Sequence, residues 1–206
     1  MNKMSQVVKR GADLVLVGLF SPLIVVVTVV TAVLVLVFTG RPVFFCQERA
    51  GLGMKPFRLY KFRTMRTDCD PFGPSPKEGV DPRITWLGRW VRALSLDEVP
   101  QFYNVLRGEM SLVGPRPLYM EQAREWNERQ RRRLEVKPGL TGLAQIRGRG
   151  SLTIEEKLEW DVRYAEGQSL WLDVKILFLT VGLLVRPKGI YEERYSMERE
   201  TRDSAE

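Results

Sequence analysis

The sequence predicts an α+β, mostly helical fold: an apolar N-terminal helix that anchors one small domain to a membrane. Three observations support this prediction. Residues 14–38 form a run of 25 residues without a charge, residues 42–65 contain two short β-prone runs, and helical patterns dominate after residue 85. With 206 residues the chain has room for one domain and an anchor. We expect an anchor at 1–40, a domain at 41–189 and an acidic tail at 190–206.

Composition narrows the chemistry that this domain can perform. The formal net charge is +7, and the surplus of Lys and Arg lies in the middle of the chain, which predicts anionic partners such as nucleotide phosphates, lipid head groups or nucleic acid. Cys46 and Cys69 have no metal-binding spacing, so we expect a reduced, cytosolic setting without disulfides. Histidine is absent from the sequence. Carboxylates are therefore the candidates for acid, base, nucleophile or metal chemistry.

The apolar N-terminal segment is interrupted by Ser21 and Pro22. Proline inside a helix removes one backbone hydrogen bond and kinks the helix, and the neighbouring serine can bond the freed carbonyl group. By hydropathy alone an ordinary kinked helix that spans the membrane is favoured. Lys and Arg flank both ends of the segment, however, as expected when both ends stay in the cytoplasm. The residues alone leave a spanning helix and a re-entrant helix as alternatives.

Residues 42–65 predict a β-hairpin that turns through residues 51–53, where two glycines lie. Lys61 and Arg63 would share one face of its second strand, which is either a solvated face or part of a phosphate site. Residues 67–82 are rich in Pro, Gly and Asp and predict a mobile loop over the site.

Three segments after this loop are assigned from local sequence pattern. Residues 85–94 predict a helix that carries Trp86 and Trp90, which are core residues or membrane-interface anchors. Residues 119–134 predict one helix that ends in a solvated or lipid-facing cluster of three arginines at 131–133. Residues 137–150, with four glycines, predict a loop.

The C-terminal half of the domain completes the helical pattern. Residues 154–165 predict a helix with Asp161 near its end, and residues 170–185 predict a short apolar helix. This last helix is either buried in the core or lies in a membrane interface, since it is short for a second span. The acidic tail is expected to be partly disordered.

Two adjacent acids, Asp97 and Glu98, stand out between these elements because Pro100 follows them. Proline is well tolerated at the first position of a helix, so a helix beginning at Pro100 would hold both acids at its N-terminal end. One interpretation is a capping box, in which Ser95 and Glu98 only satisfy amide groups at the helix end. The other is a phosphate or metal-phosphate site, in which the two acids have different roles.

The ordered motifs of the chain resemble one family, the bacterial monotopic polyprenyl-phosphate phosphoglycosyl transferases in their minimal single-domain form. The resemblance covers nearly the whole chain up to residue 189. Its blocks, in order, are Tyr60-Lys61-Phe62-Arg63-Thr64-Met65, Leu94-Ser95-Leu96-Asp97-Glu98-Val99-Pro100-Gln101, Gly114-Pro115-Arg116-Pro117 and Lys137-Pro138-Gly139-Leu140-Thr141-Gly142-Leu143-Ala144-Gln145.

The resemblance implies a reaction and a location. A UDP-sugar would give its sugar phosphate to a polyprenyl phosphate such as undecaprenyl phosphate and release UMP, as the first membrane step of glycoconjugate or polysaccharide assembly. The anchor would be re-entrant at Ser21 and Pro22. The catalytic domain would face the cytoplasm at the bacterial inner membrane, in contact with membrane lipids, and a homodimer stays an open alternative. Nucleic acid is not an expected partner.

The resemblance also implies roles for the candidate residues. Asp97 would attack the β-phosphate to form an aspartyl-phosphosugar intermediate, and Glu98 would hold Mg²⁺, which takes oxygen ligands. Cationic side chains would balance the charge of the substrate phosphates, and three further residues would contact the nucleotide sugar. The phosphate-binding candidates are Lys61, Arg63, Arg92 and Arg116, and the nucleotide-sugar candidates are Gln145, Arg147 and Asp161.

Two interpretations without catalysis remain as alternatives. One is a membrane-anchored module that binds lipid or nucleic acid through the basic middle of the chain, whose binding would weaken steeply with salt. The other is a structural membrane scaffold in which the two acids only cap a helix. Release of UMP from a UDP-sugar would distinguish the enzyme from both.

Overall fold

The computed structural model of this chain describes residues 3–69 and 81–185. Helix α1, Lys3–Thr39, is 37 residues long, and helical structure continues through Pro22. The Ser21 hydroxyl donates to the carbonyl oxygen of Gly18 at 2.7 Å. Because the missing amide of Pro22 would otherwise bond this carbonyl, the expected role of the serine is confirmed. The predicted loop at 67–82 and the tail at 190–206 lie mostly or wholly outside the described residues.

Helix α1 packs on the domain along one narrow face. Lys9, Asp13, Val17, Thr31 and Val35 are buried, and they follow each other at helical spacing. Most of the large apolar side chains on the other faces are exposed. By length and composition, Gln6–Thr39 could cross a membrane, as the sequence predicted.

The predicted hairpin is confirmed. Strand β1, Phe44–Ala50, pairs antiparallel with β2, Pro56–Phe62, and Phe44 lies opposite Phe62. Gly53 adopts a positive φ of 60° in the turn between them, a conformation that favours glycine. Strand β2 contributes Phe57 and Leu59 to one core cluster and Phe62, on its opposite face, to another. The C-terminal end of the strand carries Lys61 to the site.

Two short helices follow the hairpin, separated by one 3₁₀ turn. Helix α2, Trp86–Ala93, begins where the Thr85 hydroxyl accepts a hydrogen bond from the amide of Gly88, and α3 is Gln101–Arg107. The turn between them, Leu96–Glu98, carries the two acids. Trp86 and Trp90 are 57% and 66% exposed, so the interpretation of these tryptophans as core residues is wrong.

The segment from 119 to 134 is not one helix, contrary to the prediction. Helix α4, Met120–Glu125, ends because Trp126 is extended, and α5, Glu128–Arg131, starts anew where the Asn127 side chain accepts from the amide of Gln130. A 3₁₀ turn, Arg132–Glu135, completes the segment. An internal asparagine cap therefore divides the predicted helix.

The predicted glycine-rich loop at 137–150 is also more ordered than expected. It contains strand β4, Gly139–Thr141, which pairs in parallel with β3, Ser111–Val113, and a short helix α6, Leu143–Arg147. Gly114 and Gly139 pack backbone against backbone, since a Cβ on Gly139 would lie only 2.0 Å from the Gly114 nitrogen. This close contact holds the residue that follows β3 against the first residue of β4.

The last two helices confirm the sequence pattern. They are α7, Ile154–Gly167, and α8, Leu170–Val185. Helix α8 buries Asp173 and Ile176 but exposes Trp171 and Phe178 at 77% and 79%. Its exposed face is therefore apolar, which favours the interfacial interpretation over a helix buried on all sides.

Candidate active site

The two acids lie on the 3₁₀ turn between α2 and α3, at the surface that faces the end of β2. Pro100 is the N-cap residue of α3, so the helix begins at Gln101, one position after the predicted start. Ser95 has φ of 56° and its side chain caps no amide, so the capping-box interpretation is wrong. Glu98 bonds side chains from two other segments, Lys61 and Arg116, instead of amide groups at the helix end.

Glu98 is held as a carboxylate by two cations. Its Oε1 accepts from Lys61 Nζ at 3.0 Å and from Arg116 Nη2 at 2.7 Å. Burial acts to raise the pKa of Glu98, but Arg116 and Lys61 outweigh it and hold that pKa well below its ordinary value. Glu98 is therefore ionised throughout the physiological pH range.

Asp97 has a different environment although it is the next residue. Its side chain is 13% exposed, and Lys61 Nζ lies 3.9 Å from its Oδ2. Burial raises the pKa of Asp97, and the negative charge of Glu98 raises it further against the opposing charges of Lys61, Arg92 and Arg116. A carboxylate that is poorly stabilised by its surroundings is a better nucleophile or base than one held by two cations.

Three of the predicted phosphate-binding cations surround this pair. Lys61 and Arg116 contact Glu98 directly. The Arg92 Nε donates to the Thr64 hydroxyl at 2.8 Å, and its charge lowers the pKa of Asp97. Residues far apart in the sequence therefore place three positive charges around two negative ones, an arrangement suited to a substrate that brings further negative charge.

Arg63, the fourth predicted cation, is used elsewhere. It is buried, and its guanidinium donates to the carbonyl oxygens of Thr39 and Gly40 at the C-terminal end of α1. Positive charge at a helix C-terminus is favourable because the last carbonyl groups lack partners. Lys61 and Arg63 contact different elements because β2 ends between them at Phe62. We assign Arg63 to anchoring α1 on the hairpin.

The three nucleotide-sugar candidates have contacts inside the fold. Gln145 is buried and donates to the carbonyl oxygen of Leu140, and Arg147 lies over the Trp160 ring at 4.8 Å. Asp161 is buried and pairs with Arg133 at 2.6 Å. The partner of Asp161 thus belongs to the arginine cluster at 131–133, so the interpretation of that whole cluster as a solvated or lipid-facing patch is wrong.

One arginine near the acids was missed by the sequence reasoning. Burial and the charge of Arg116 lower the pKa of Arg149, whereas Glu98 and Asp97 raise it. The guanidinium of Arg149 therefore interacts electrostatically with both acids. Arg149 has φ of 51°, an uncommon conformation for a residue other than glycine. Its position between Gly148 and Gly150 is the signal that could have indicated a special backbone position.

The side chains at the site determine which metal ion, if any, it could bind. Among residues 3–69 and 81–185 no group of three or more acidic, Cys or His side chains could hold a metal ion. Asp97 and Glu98 offer carboxylate oxygens only, which are the ligands of Mg²⁺, an ion that proteins commonly bind through one or two carboxylates together with substrate phosphates and water. The two acids fit that mode of binding.

Comparison with known proteins identifies a family. The family described as "Bacterial sugar transferase" matches residues 4–187. "Uncharacterized sugar transferase EpsL" of Bacillus subtilis is 48% identical over 170 residues, 82% of this chain and 83% of the relative.

Two further relatives carry the same descriptive name. "UDP-glucose:undecaprenyl-phosphate glucose-1-phosphate transferase" of Caulobacter vibrioides is 39% identical over 89% of this chain and 72% of its own length. The Escherichia coli protein of this name is 42% identical over 86% of this chain but only 40% of its own length. Several relatives are thus much longer, and the chain spans 29% to 44% of them.

Proposed function

Because this chain belongs to the bacterial sugar transferase family, we propose that it transfers a sugar phosphate from a UDP-sugar to undecaprenyl phosphate and releases UMP. The names of the relatives from Escherichia coli and Caulobacter vibrioides describe this reaction for UDP-glucose, and a relative from Aeromonas hydrophila is named for UDP-N-acetylgalactosamine. The sugar is therefore proposed only as a class, the UDP-linked hexoses.

The observation that carries the proposal is the contrast between the two adjacent acids. Glu98 is held ionised by hydrogen bonds from Lys61 and Arg116, whereas Asp97 has Lys61 at the longer distance of 3.9 Å and its pKa is raised. A binding scaffold has no need of a buried, poorly paired carboxylate, which disfavours folding. A nucleophile benefits from this environment, because a weakly stabilised carboxylate loses little electrostatic stabilisation when its charge is used to form a bond.

In the proposed first step a carboxylate oxygen of Asp97 attacks the β-phosphorus of the UDP-sugar. A bond forms between Asp97 and this phosphorus, and the bond from the phosphorus to the oxygen bridging the α-phosphate breaks, so UMP leaves with the electron pair. In the second step a phosphate oxygen of undecaprenyl phosphate attacks the same phosphorus and the Asp97 carboxylate leaves. The steps balance without an oxidant or a reductant.

The cations make this attack electrostatically feasible. A carboxylate and a diphosphate repel each other, so positive charge must lie close to both. Arg116 is the strongest candidate for binding the phosphates, because its side chain is 46% exposed while its backbone lies between two prolines. Arg92, Lys61 and Arg149 add positive charge around the acids.

Glu98 would hold Mg²⁺ together with the substrate phosphates. The ion, when bound, neutralises part of the phosphate charge. In this proposal Glu98 is the resident ligand, because it is ionised over the whole physiological range.

We further propose that α1 is re-entrant, so that the domain lies on the cytoplasmic face of the bacterial inner membrane. Lys9 and Asp13 near its start bond Asp173 and Ser111, whereas Val35 and Thr39 near its end pack with Phe62 and bond Arg63. Contacts of both ends of the apolar run with one domain support an arrangement in which the two ends lie on the same side of a bilayer core of about 30 Å. The Ser21-Pro22 pair would provide the bend.

The test is UMP release by detergent-solubilised protein, with a panel of UDP-sugars and undecaprenyl phosphate. We expect one or a few UDP-sugars to give UMP, with continued turnover only when the lipid phosphate is present, and Asp97→Asn to abolish release. Glu125→Gln, a change at an exposed acid on α4, is the matched control and should keep full activity. Absence of UMP release with every sugar of the panel, from folded protein, would refute the proposal.

A further inference from the structure

Arg133 is a buried arginine next to the site that the proposed chemistry does not use. It is 2% exposed, and its Nη2 and Nε lie 2.6 and 3.1 Å from the Asp161 Oδ2. Its guanidinium carbon lies 4.7 Å from the centroid of the Trp126 ring. A buried ion pair is weak evidence for stability, because the cost of desolvation offsets the attraction. The pair therefore needs a further explanation.

The explanation lies in a third contact of the same guanidinium. Arg133 Nη2 also donates to the backbone carbonyl oxygen of Arg116, the residue whose side chain bonds Glu98. Pro115 and Pro117 flank Arg116 and have no N–H of their own, so this short segment has few donors with which to stabilise itself.

The segment is instead held by three donors from outside. The amide of Gly139 donates to the Pro115 carbonyl at 2.9 Å, and the amide of Ala50 donates to the Leu118 carbonyl at 3.0 Å. The contact at Arg116 itself comes from Arg133. Of these three donors only Arg133 is a side chain, so a substitution there can release Arg116 while the two backbone anchors remain.

We propose that Arg133, held in place by Asp161 and Trp126, is a positioning residue that orients Arg116 toward Glu98 and the substrate phosphates. Its catalytic consequence rests on the proposed function, since a displacement of about 1 Å in a phosphate-binding group can cost roughly 100-fold in rate. Asp161 then acts two contacts away from the substrate, which differs from its predicted role in binding the nucleotide sugar.

The decisive variant is the double substitution Arg133→Met and Asp161→Leu, which leaves no buried charge unpaired. We expect it to fold, to lower kcat at least roughly tenfold and to change KM for the UDP-sugar much less. The matched control is Arg132→Met with Glu166→Gln, because Arg132 and Glu166 form an exposed ion pair at 2.6 Å between the same two elements. The control should keep the parent rate.

A double-mutant cycle on kcat, which combines the double substitution with Arg116→Ala, distinguishes a positioning role from a general structural effect. If Arg133 acts through Arg116, the double substitution should cost less than about twofold further in kcat once the Arg116 side chain is gone. A merely structural role predicts that the two losses multiply. Multiplied losses would overturn the proposal.

A second cycle needs no substrate, so it remains informative if the proposed reaction is wrong. Thermal unfolding is measured for the parent, Glu98→Gln, the double variant and their combination. We expect the Tm loss from Glu98→Gln to shrink markedly in the double variant, because Arg116 no longer reaches Glu98 well. Additive Tm changes would overturn the positioning role.

If the double variant does not fold, Arg133→Lys provides the same test. Lysine keeps the charge opposite Asp161 but has a single nitrogen and cannot reproduce the guanidinium fork that also bonds Arg116. We expect a stable protein with reduced kcat and a reduced Tm loss on Glu98→Gln. Parent-like values for both would contradict the proposal.

Discussion

Neutralising the two adjacent acids should change the stability of this protein in opposite directions. Glu98→Gln removes a charge that Lys61 and Arg116 stabilise, whereas Asp97→Asn removes a charge that burial and Glu98 disfavour. Both substitutions keep the shape of the side chain and remove one negative charge. The difference in environment, rather than the charge itself, therefore decides the sign of the effect.

The magnitude for Glu98 follows from its two hydrogen bonds. A hydrogen bond to a charged group contributes about 1.5–3 kcal/mol, and a neutral amide oxygen retains about 1 kcal/mol of each. Because the Arg116 side chain is 46% exposed, solvent screens its contact, and we expect a total loss of about 2–3 kcal/mol. For a chain of this size that corresponds to a Tm decrease of about 4–12 °C. Asp97→Asn should raise the Tm.

The stability contributions of the two acids should depend on pH in opposite directions. The depressed pKa of Glu98 means that its stabilising contribution is present above the ordinary pKa of a glutamate and is lost only as the pH falls toward the depressed value. The raised pKa of Asp97 means that the parent gains stability as the pH falls and Asp97 becomes protonated. On acidification the Tm advantage of Asp97→Asn should therefore disappear before the Tm deficit of Glu98→Gln does.

The assay is thermal unfolding in detergent without nucleotide or divalent cations, so that only the protein's own charges contribute. Glu125→Gln serves as the control for removing one exposed negative charge and should leave the Tm within about 1 °C of the parent. Equal Tm decreases for Asp97→Asn and Glu98→Gln would refute the reasoning, because the two acids would then have the same environment.

Three other predictions concern chemistry and topology. UDP-sugar alone should give a stoichiometric burst of UMP and a radiolabelled protein; Asp97→Asn should abolish both, whereas higher Mg²⁺ should partly restore Glu98→Gln. An active parent that never carries label would instead indicate direct transfer to the lipid phosphate. Arg116→Lys should lower kcat/KM by at least about tenfold, since an ammonium group cannot bind phosphate through two nitrogens, and a parent-like value would make Arg116 structural. Single cysteines at both ends of α1 should be labelled from the same side of sealed vesicles, and Pro22→Ala should favour a spanning form; ends labelled from opposite sides in the parent would exclude the re-entrant anchor.

The two acids show how much of the candidate site could be predicted from local sequence. Their position before Pro100 predicted a helix entrance, and the structure places Pro100 at the N-cap of α3. Whether they formed a cap or a site could not be decided from that spacing. The answer depends on Lys61, 37 residues before Glu98, and on Arg116, 18 residues after it, which only the folded chain brings to the same carboxylate.

The elements that the sequence alone determined are those whose signal lies within one short stretch. The apolar run of α1, the glycine turn of the hairpin and the periodic patterns of α2, α7 and α8 are set by neighbouring residues, so their identities were predicted correctly. Strands β3 and β4 were missed because each is only three residues long, too short to show alternation, and each exists only by pairing with the other.

The three consecutive arginines at 131–133 show what only the tertiary structure decided. By composition they form one basic patch, yet Arg131 and Arg132 are exposed while Arg133 is buried against Asp161. Local sequence cannot identify which of three identical neighbours turns inward, because the partner that compensates its charge lies 28 residues away. Burial of a charge depends on such a distant partner, since an unpaired buried charge is too costly for the fold to keep.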